Sequence, residues 1–275
     1  MLNGIDFGAY TREQLKQFAN DGYTVVIPLA ATEQHGPHLP VWTDTVICER
    51  ICREAIGIAT GAGAKLLMAP VLGIGCSEHH LAFGGTLSIS SEVYLQILMD
   101  IGRSLSLDGF GKLVFVNGHG GNEWVMQQAA VDLALQYPMW TAAASYWNLA
   151  KQALADANAG EIGPVPGHAG AFEAAMMMAL NPEVVTGPFE KQEHPAITSI
   201  ARGMTNVFVG RRGIITGWDG YTDSPGGATK ELGEHFFYVI ARAVGEWLVS
   251  CCSSMENIGQ AGSAEKVDRE KRGNR

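Results

Sequence analysis

The stretch GKLVFVNG at residues 111–118, followed across HGGN by EWVMQQAAVDLALQ at 123–136, sets the architecture. A β-branched, apolar run stops at a glycine-rich turn, and a helical pattern begins beyond it. The same succession occurs three more times. YTVVIPLAA at 23–31 precedes a helical pattern over 44–59, KLLMAPVLGIG at 65–75 precedes one over 91–107, and WTAAASYW at 140–147 precedes a further helical stretch. Short apolar strands alternating with helices argue for parallel strands joined by crossover helices and covered on both faces, so the predicted class is α/β. No repeat or linker rich in Pro, Gly or Ser divides the chain. A single domain over 1–252 is therefore expected, with a polar, solvated or disordered tail over 253–275.

Composition narrows the function classes. The chain has 275 residues, 47% hydrophobic and 17% charged, enough to bury a sizeable core. A net charge of -9, with no Lys/Arg run before the last dozen residues, offers no footprint for nucleic acid or an anionic membrane. The start of the chain lacks the layout of a signal peptide, and no uninterrupted apolar stretch looks long enough to span a bilayer, so a cytoplasmic protein is expected. The five cysteines are odd in number and lack paired CxxC spacings, which reads as free thiols. Cys48 and Cys52, one helical turn apart, read as apolar helix-face residues.

In an open parallel sheet, binding groups collect beyond the carboxyl ends of the strands. After the first strand come Glu33, His35 and Asp44; after the second, Glu78, His79 and His80; after the third, Asn117, His119 and Asn122; after the fourth, Trp147. His168 and Glu173 follow in PGHAGAFEAAMMMAL. Glu33 and His35 share a face if the chain stays extended. Asp44 follows Thr43, which is placed to cap the next helix. The glycines around His119 in VNGHGGN permit a tight turn, but neither G-x-G-x-x-G nor G-K-[ST] is present, so a phosphate cradle is disfavoured. Singly, each of these residues has an ordinary explanation as a turn, capping or core residue. Together, carboxylates and imidazoles at one edge suit zinc, manganese or iron(II), which lower the pKa of a bound water and polarise a carbonyl. The absence of G-x-S-x-G counts against a serine hydrolase.

The segments ATEQHGPHLPVWTD, EHHLAFGGTLSIS, VNGHGGN, SYWNLA and GHAGAFE, in this order, resemble the creatininase family of creatinine amidohydrolases. That resemblance implies a three-layer α/β/α fold with a mostly parallel sheet, homo-oligomers that are often hexamers, and hydrolysis of non-peptide or unusual amide C–N bonds. Known members include creatininase, a formamidopyrimidine deformylase and a peptidase of mycofactocin maturation. It further implies two divalent ions per chain (Zn, Mn or Fe(II)), with Glu33 and His119 on one, His35 on the other and Asp44 bridging. Trp147 would line the substrate pocket and His168 would handle protons at the scissile nitrogen; His80, on the FGGT loop, is a further candidate for substrate binding.

The chain departs from the creatininase pattern twice. Gly121 stands where creatininase carries a metal-binding glutamate, and Gly84 stands in FGGT where the usual sequence is FPGT. The first departure puts creatinine as substrate in doubt; the second would loosen the loop that carries His80. Glu173 is the candidate to replace the missing ligand, provided that His168 precedes its helix and that Gly167 and Gly170 allow the turn. The alternative for Glu173 is an acceptor that orients a ligand histidine. The expected function is hydrolysis of a small-molecule amide, non-peptide or cyclic, by a hydroxide bridging two ions, with His168 protonating the leaving nitrogen. The alternatives are a formamide deformylase of the same fold and a non-catalytic metal- or nucleotide-binding module.

Overall fold

The computed structural model describes residues 4–186 and 220–273. Its elements, in chain order, are α1 (Arg12–Asn20), β1 (Thr24–Leu29), α2 (Thr43–Gly61), β2 (Leu66–Met68), α3 (Ser91–Leu107), β3 (Lys112–Asn117), α4 (Glu123–Gln136), β4 (Trp140–Ser145), α5 (Tyr146–Leu149), α6 (Lys151–Asp156), α7 (Ala171–Leu180) and α8 (Lys230–Gly273). The four strands form one parallel sheet in the order β2-β1-β3-β4.

Every residue of β1 and β3 is buried, as strands covered on both faces must be. The period-two alternation of side chains then splits the core. Val26, Val114 and Val116 join α2, α7 and α8 on one face. Val25, Ile27, Leu29, Leu113 and Phe115 join α3 and α4 on the other. This is the expected three-layer α/β/α arrangement. β2 is shorter than its apolar run because Pro70 offers no N–H to a ladder; pairing resumes when Ala30 donates to the Leu72 carbonyl at 2.9 Å.

α8 bears on the expectation about apolar stretches. Over Lys230–Glu256 it is long and apolar enough, by length and composition, to cross a bilayer, because its charges are spaced rather than absent. Its Phe236, Phe237, Ile240, Val244 and Leu248 are buried in the core beside α2 and α7. The helix also continues past Ser253, where the sequence turns polar: Met255 is buried, and Glu256 accepts an ion pair from Lys112 at 2.8 Å.

The order of the strands positions the site. The chain leaves β1 toward β2 on one side and returns to β3 on the other, so a crevice opens where the carboxyl ends of β1 and β3 lie side by side, with Leu29 opposite Asn117.

Candidate metal centre

The loop after β1 brings Glu33 and His35 into that crevice, both almost wholly buried. Asp44 arrives in the first turn of α2. Thr43 does not cap this helix: Trp42 is the N-cap residue without a side-chain bond, and the Thr43 hydroxyl donates to the Pro40 carbonyl at 2.7 Å. Asp44 still stands at the positive end of the helix dipole.

His119 follows β3 and is fixed by the asparagines on either side of it. Asn117 accepts from the His119 N–H at 3.1 Å and donates to its carbonyl at 2.7 Å, while Asn122 accepts from the Cys76 N–H at 3.0 Å and donates to Ala30 at 3.1 Å. Two of the neighbouring glycines answer to crowding, since neither is at positive φ. A Cβ on Gly118 would lie 2.7 Å from that of Cys48, and one on Gly121 would lie 2.0 Å from the Cys76 carbonyl oxygen. A carboxylate at 121 is therefore sterically excluded unless the backbone at Cys76 moves.

The hydrogen bonds of the two histidines define what the centre wants. His35 Nδ1 lies 2.9 Å from the Glu33 carbonyl and His119 Nε2 lies 3.0 Å from the Cys76 carbonyl. A carbonyl only accepts, so each of these nitrogens donates. The opposite nitrogens then face carboxylates: His35 Nε2 is 3.1 Å from Asp44 Oδ1 and 3.6 Å from Glu173 Oε2, and His119 Nδ1 is 3.2 Å from Glu33 Oε1 and 3.1 Å from Asp44 Oδ2. A lone pair aimed at a carboxylate is repulsive unless a cation, proton or metal ion, lies between them. Pinning one ring nitrogen on a backbone carbonyl is how ligand histidines are oriented.

Electrostatics agree. Burial opposes charge on His35, but Asp44 and Glu173 overcome it and raise its pKa to about 10. Burial likewise opposes charge on His119, and Glu33 and Asp44 raise it well above the usual range. Burial would raise Glu33, but His119, His80 and His168 hold its carboxyl well below the usual range. Glu173 is pushed up to about 8, first by burial and then by Asp44 against the relief from His35. Glu33 Oε2 and Asp44 Oδ2 are buried without a hydrogen-bond partner. Orphaned carboxylate oxygens among imidazoles fit a divalent cation.

Candidate ligand atoms fall into three overlapping groups, each within 4.8 Å: His35, Asp44 and Glu173; Glu33, His79 and His119; Glu33, His35 and His168. Asp44 reaches both histidines with separate oxygens. Glu173 lies in the first turn of α7, and His168 precedes that helix, whose N-cap is Gly170. Gly167 takes the left-handed conformation at φ +66, but Gly170 is extended and is needed for space.

His168 Nε2 is 2.9 Å from the Gln34 carbonyl, and its Nδ1 is 3.4 Å from Glu33 Oε1. Its ring stacks on His80 at 4.1 Å. Burial, then the neighbouring His35, holds His168 neutral, with its pKa well below the usual range. Burial also lowers His80 to about 4. His80 Nε2 lies 3.5 Å from Glu33 Oε1. Trp147 stands two residues beyond β4 and lines a groove of about 810 Å³ with Lys151, Val165 and Pro166, and no carboxylate or histidine of the cluster lines that groove among the described residues.

Gln34 escapes the sequence reading, and His79 enters it only as one of several polar residues after the second strand. Gln34 Nε2 lies 2.8 Å from His80 Nδ1 while the Gln34 carbonyl accepts from His168 Nε2 at 2.9 Å, and His79 stacks parallel to His119 at 5.9 Å. Both lie inside the motifs that carried the resemblance, but only the fold shows which way they face. Gly84, at φ +78, takes a conformation closed to proline, so the FGGT sequence matches a different turn and is more than a loosened version of FPGT.

The family profile described as creatininase, creatinine amidohydrolase, matches residues 9–248. The mycofactocin precursor peptide peptidase of Mycobacterium ulcerans (strain Agy99) is 36% identical over 166 residues, 59% of this chain and 60% of its own length. The chain thus spans less than two thirds of that relative. The creatinine amidohydrolase of Pseudomonas putida is 28% identical over 200 residues, 67% of this chain and 75% of its own. Among solved structures, a creatininase variant of Zn-Zn type superposes with a TM-score of 0.73 at 25% identity, covering 90% of this chain and 98% of that one.

Proposed function

The chain belongs to the creatininase family, and on that premise we propose that it is a metal-dependent amidohydrolase acting on a C–N bond of a small, non-peptide or cyclic amide. The observation that carries this reading is the pair of backbone-pinned histidines whose free nitrogens converge on Asp44 from either side. Two divalent ions would be held, one by Glu33, His119 and Asp44 and the other by His35, Glu173 and Asp44. When bound, they supply Lewis-acid polarisation of the amide carbonyl and a water of lowered pKa.

The protein groups do the rest. Asp44, with one oxygen toward each histidine, would serve both positions and offset the repulsion of like charges there. Glu173 supplies the carboxylate that Gly121 cannot. His168 is neutral, with Nε2–H donated to the Gln34 carbonyl, which leaves its Nδ1, 3.4 Å from Glu33 Oε1, to take up a proton and pass it to the departing nitrogen. Trp147 offers an apolar wall at the edge of an open groove. A homo-oligomer is supported by exposed Val41, Trp42, Leu81 and Leu87 on adjoining loops, and light scattering measures its order.

A peptide C–N bond is the second reading, favoured by 36–40% identity to the mycofactocin precursor peptide peptidases against 28% to creatinine amidohydrolase. The deciding experiment is metal analysis of the purified protein, then turnover of cyclic amides, formamides and short peptides with zinc, manganese or iron(II) restored. Stoichiometric metal with turnover of a cyclic amide or formamide is the expected result. Turnover of peptides alone selects the second reading, and no metal with no turnover defeats both.

A further inference from the structure

A short strap, Gly220–Asp223, touches both halves of the centre. At one end the Gly220 carbonyl accepts a hydrogen bond from Gln34 Nε2, and Gly220, at φ +82, has no space for a Cβ against that side chain. In the middle, Thr222 and His168 bond reciprocally: the Thr222 N–H donates to the His168 carbonyl at 2.9 Å, and the His168 N–H donates to Thr222 Oγ1 at 2.7 Å. At the other end, Asp223 Oδ1 accepts from the Thr222 hydroxyl at 2.8 Å and Oδ2 accepts from the Ala171 N–H at 3.2 Å, in the first turn of α7.

The surroundings of Asp223 are shaped around its carboxylate. A Cβ at Gly163, Gly167 or Gly170 would come within 2.5, 2.9 and 2.0 Å of its oxygens. Three glycines on one loop leave room for this one side chain. The turn it grips is otherwise unfavourable, for Ala169 sits at φ +51, a left-handed conformation that a residue with a Cβ avoids. That turn joins His168 to the helix bearing Glu173: its Ala169 N–H donates to Glu173 Oε2, and its Ala169 carbonyl accepts from His38 Nε2 at 2.7 Å.

We propose that Asp223 is a positioning residue for the metal centre. It neutralises the positive end of α7 and, with Thr222, holds the backbone of residues 168–171 in the conformation that aims His168 at Glu33 and Glu173 at His35. The strap ties that conformation to Gln34 in the loop after β1. The consequence for metal rests on the metal-dependent reading above; the placement of the His168 ring does not.

The test uses cobalt(II) as the metal probe and 15N-labelled histidine ring signals of the metal-free protein, in Asp223→Ala, Asp223→Asn and Gly170→Ala. Asp223→Ala should weaken one of the two cobalt sites on the order of 10- to 100-fold, the usual effect of losing a group that orients a ligand, and should change the His168 ring signals. Asp223→Asn keeps the shape and loses the charge, so it should fall between that variant and the parent. Gly170→Ala, whose new methyl displaces the carboxylate, should match Asp223→Ala. The double variant should be no worse than the more damaging single one, because both remove one interaction. Parental cobalt affinity, visible spectrum and histidine signals in Asp223→Ala overturn the proposal, even with a lowered melting temperature. If Asp223→Ala does not fold, Asp223→Asn decides by the same readouts. A parent that binds no cobalt defeats the metal reading, and the histidine signals then decide the role of Asp223 alone.

Discussion

Glu33, His35 and His119 stand in loops directly after β1 and β3, and Asp44 stands in the first turn of α2, whereas His168 and Glu173 stand on a turn and a helix that no strand precedes immediately. The first group is held by hydrogen bonds to the two loops' own backbone and to the Cys76 segment. The second depends on residues far away in sequence, Gln34, His38, Thr222 and Asp223. A ligand beside a buried strand inherits the strand's rigidity; one on a turn must be held by partners from elsewhere. The sheet-edge half should therefore decide whether metal binds, and the turn half how well it binds and reacts.

Asp44→Ala is the largest expected break. Without the shared carboxylate, two cations would face each other with no negative charge between them, so both ions should be lost or loosely held. Elemental analysis finding two tight ions per chain would remove Asp44 from the bridging position. Glu173→Gln should come next, abolishing turnover and weakening the ion near His35 while leaving the one near His119. Calorimetric titration with zinc reads the two sites separately, and two parental affinities would make Glu173 an orienting acceptor instead of a ligand.

His168→Ala should sharpen the distinction between binding and rate. It should keep both ions and lose on the order of 10²- to 10⁴-fold in kcat, the usual contribution of a proton-transfer residue. Parental turnover across pH would leave His168 a structural turn residue. The smallest effect is expected from Gly84→Pro, which restores the FPGT sequence. At φ +78 proline cannot be accommodated, so the variant should melt at a lower temperature and disturb the loop bearing His79 and His80 without losing the ions held by His35 and Asp44. An unchanged or raised melting temperature would show that this loop adopts the proline-compatible turn.

The alternation of runs such as GKLVFVNG with helical patterns determined the α/β class and the edge where the polar groups gather, because side-chain period and strand burial are local properties of the chain. That Glu33, His35, Asp44 and His119 would meet was legible for the same reason: each lies a short, constrained distance from a strand end or helix start. Glu173, which the fold places 3.6 Å from His35, was legible only as a candidate for the carboxylate missing at Gly121. The crowding that forbids a side chain there comes from the Cys76 carbonyl, and sequence does not display it. Gln34, His79 and the strap at Gly220–Asp223 were decided by tertiary structure. Gln34 reaches His168 across 134 positions and Gly220 across 186, contacts set by how the chain returns to the crevice and by no local pattern. The same holds for α8, whose apolar composition over Lys230–Glu256 is ambiguous until α2 and α7 are seen to cover it.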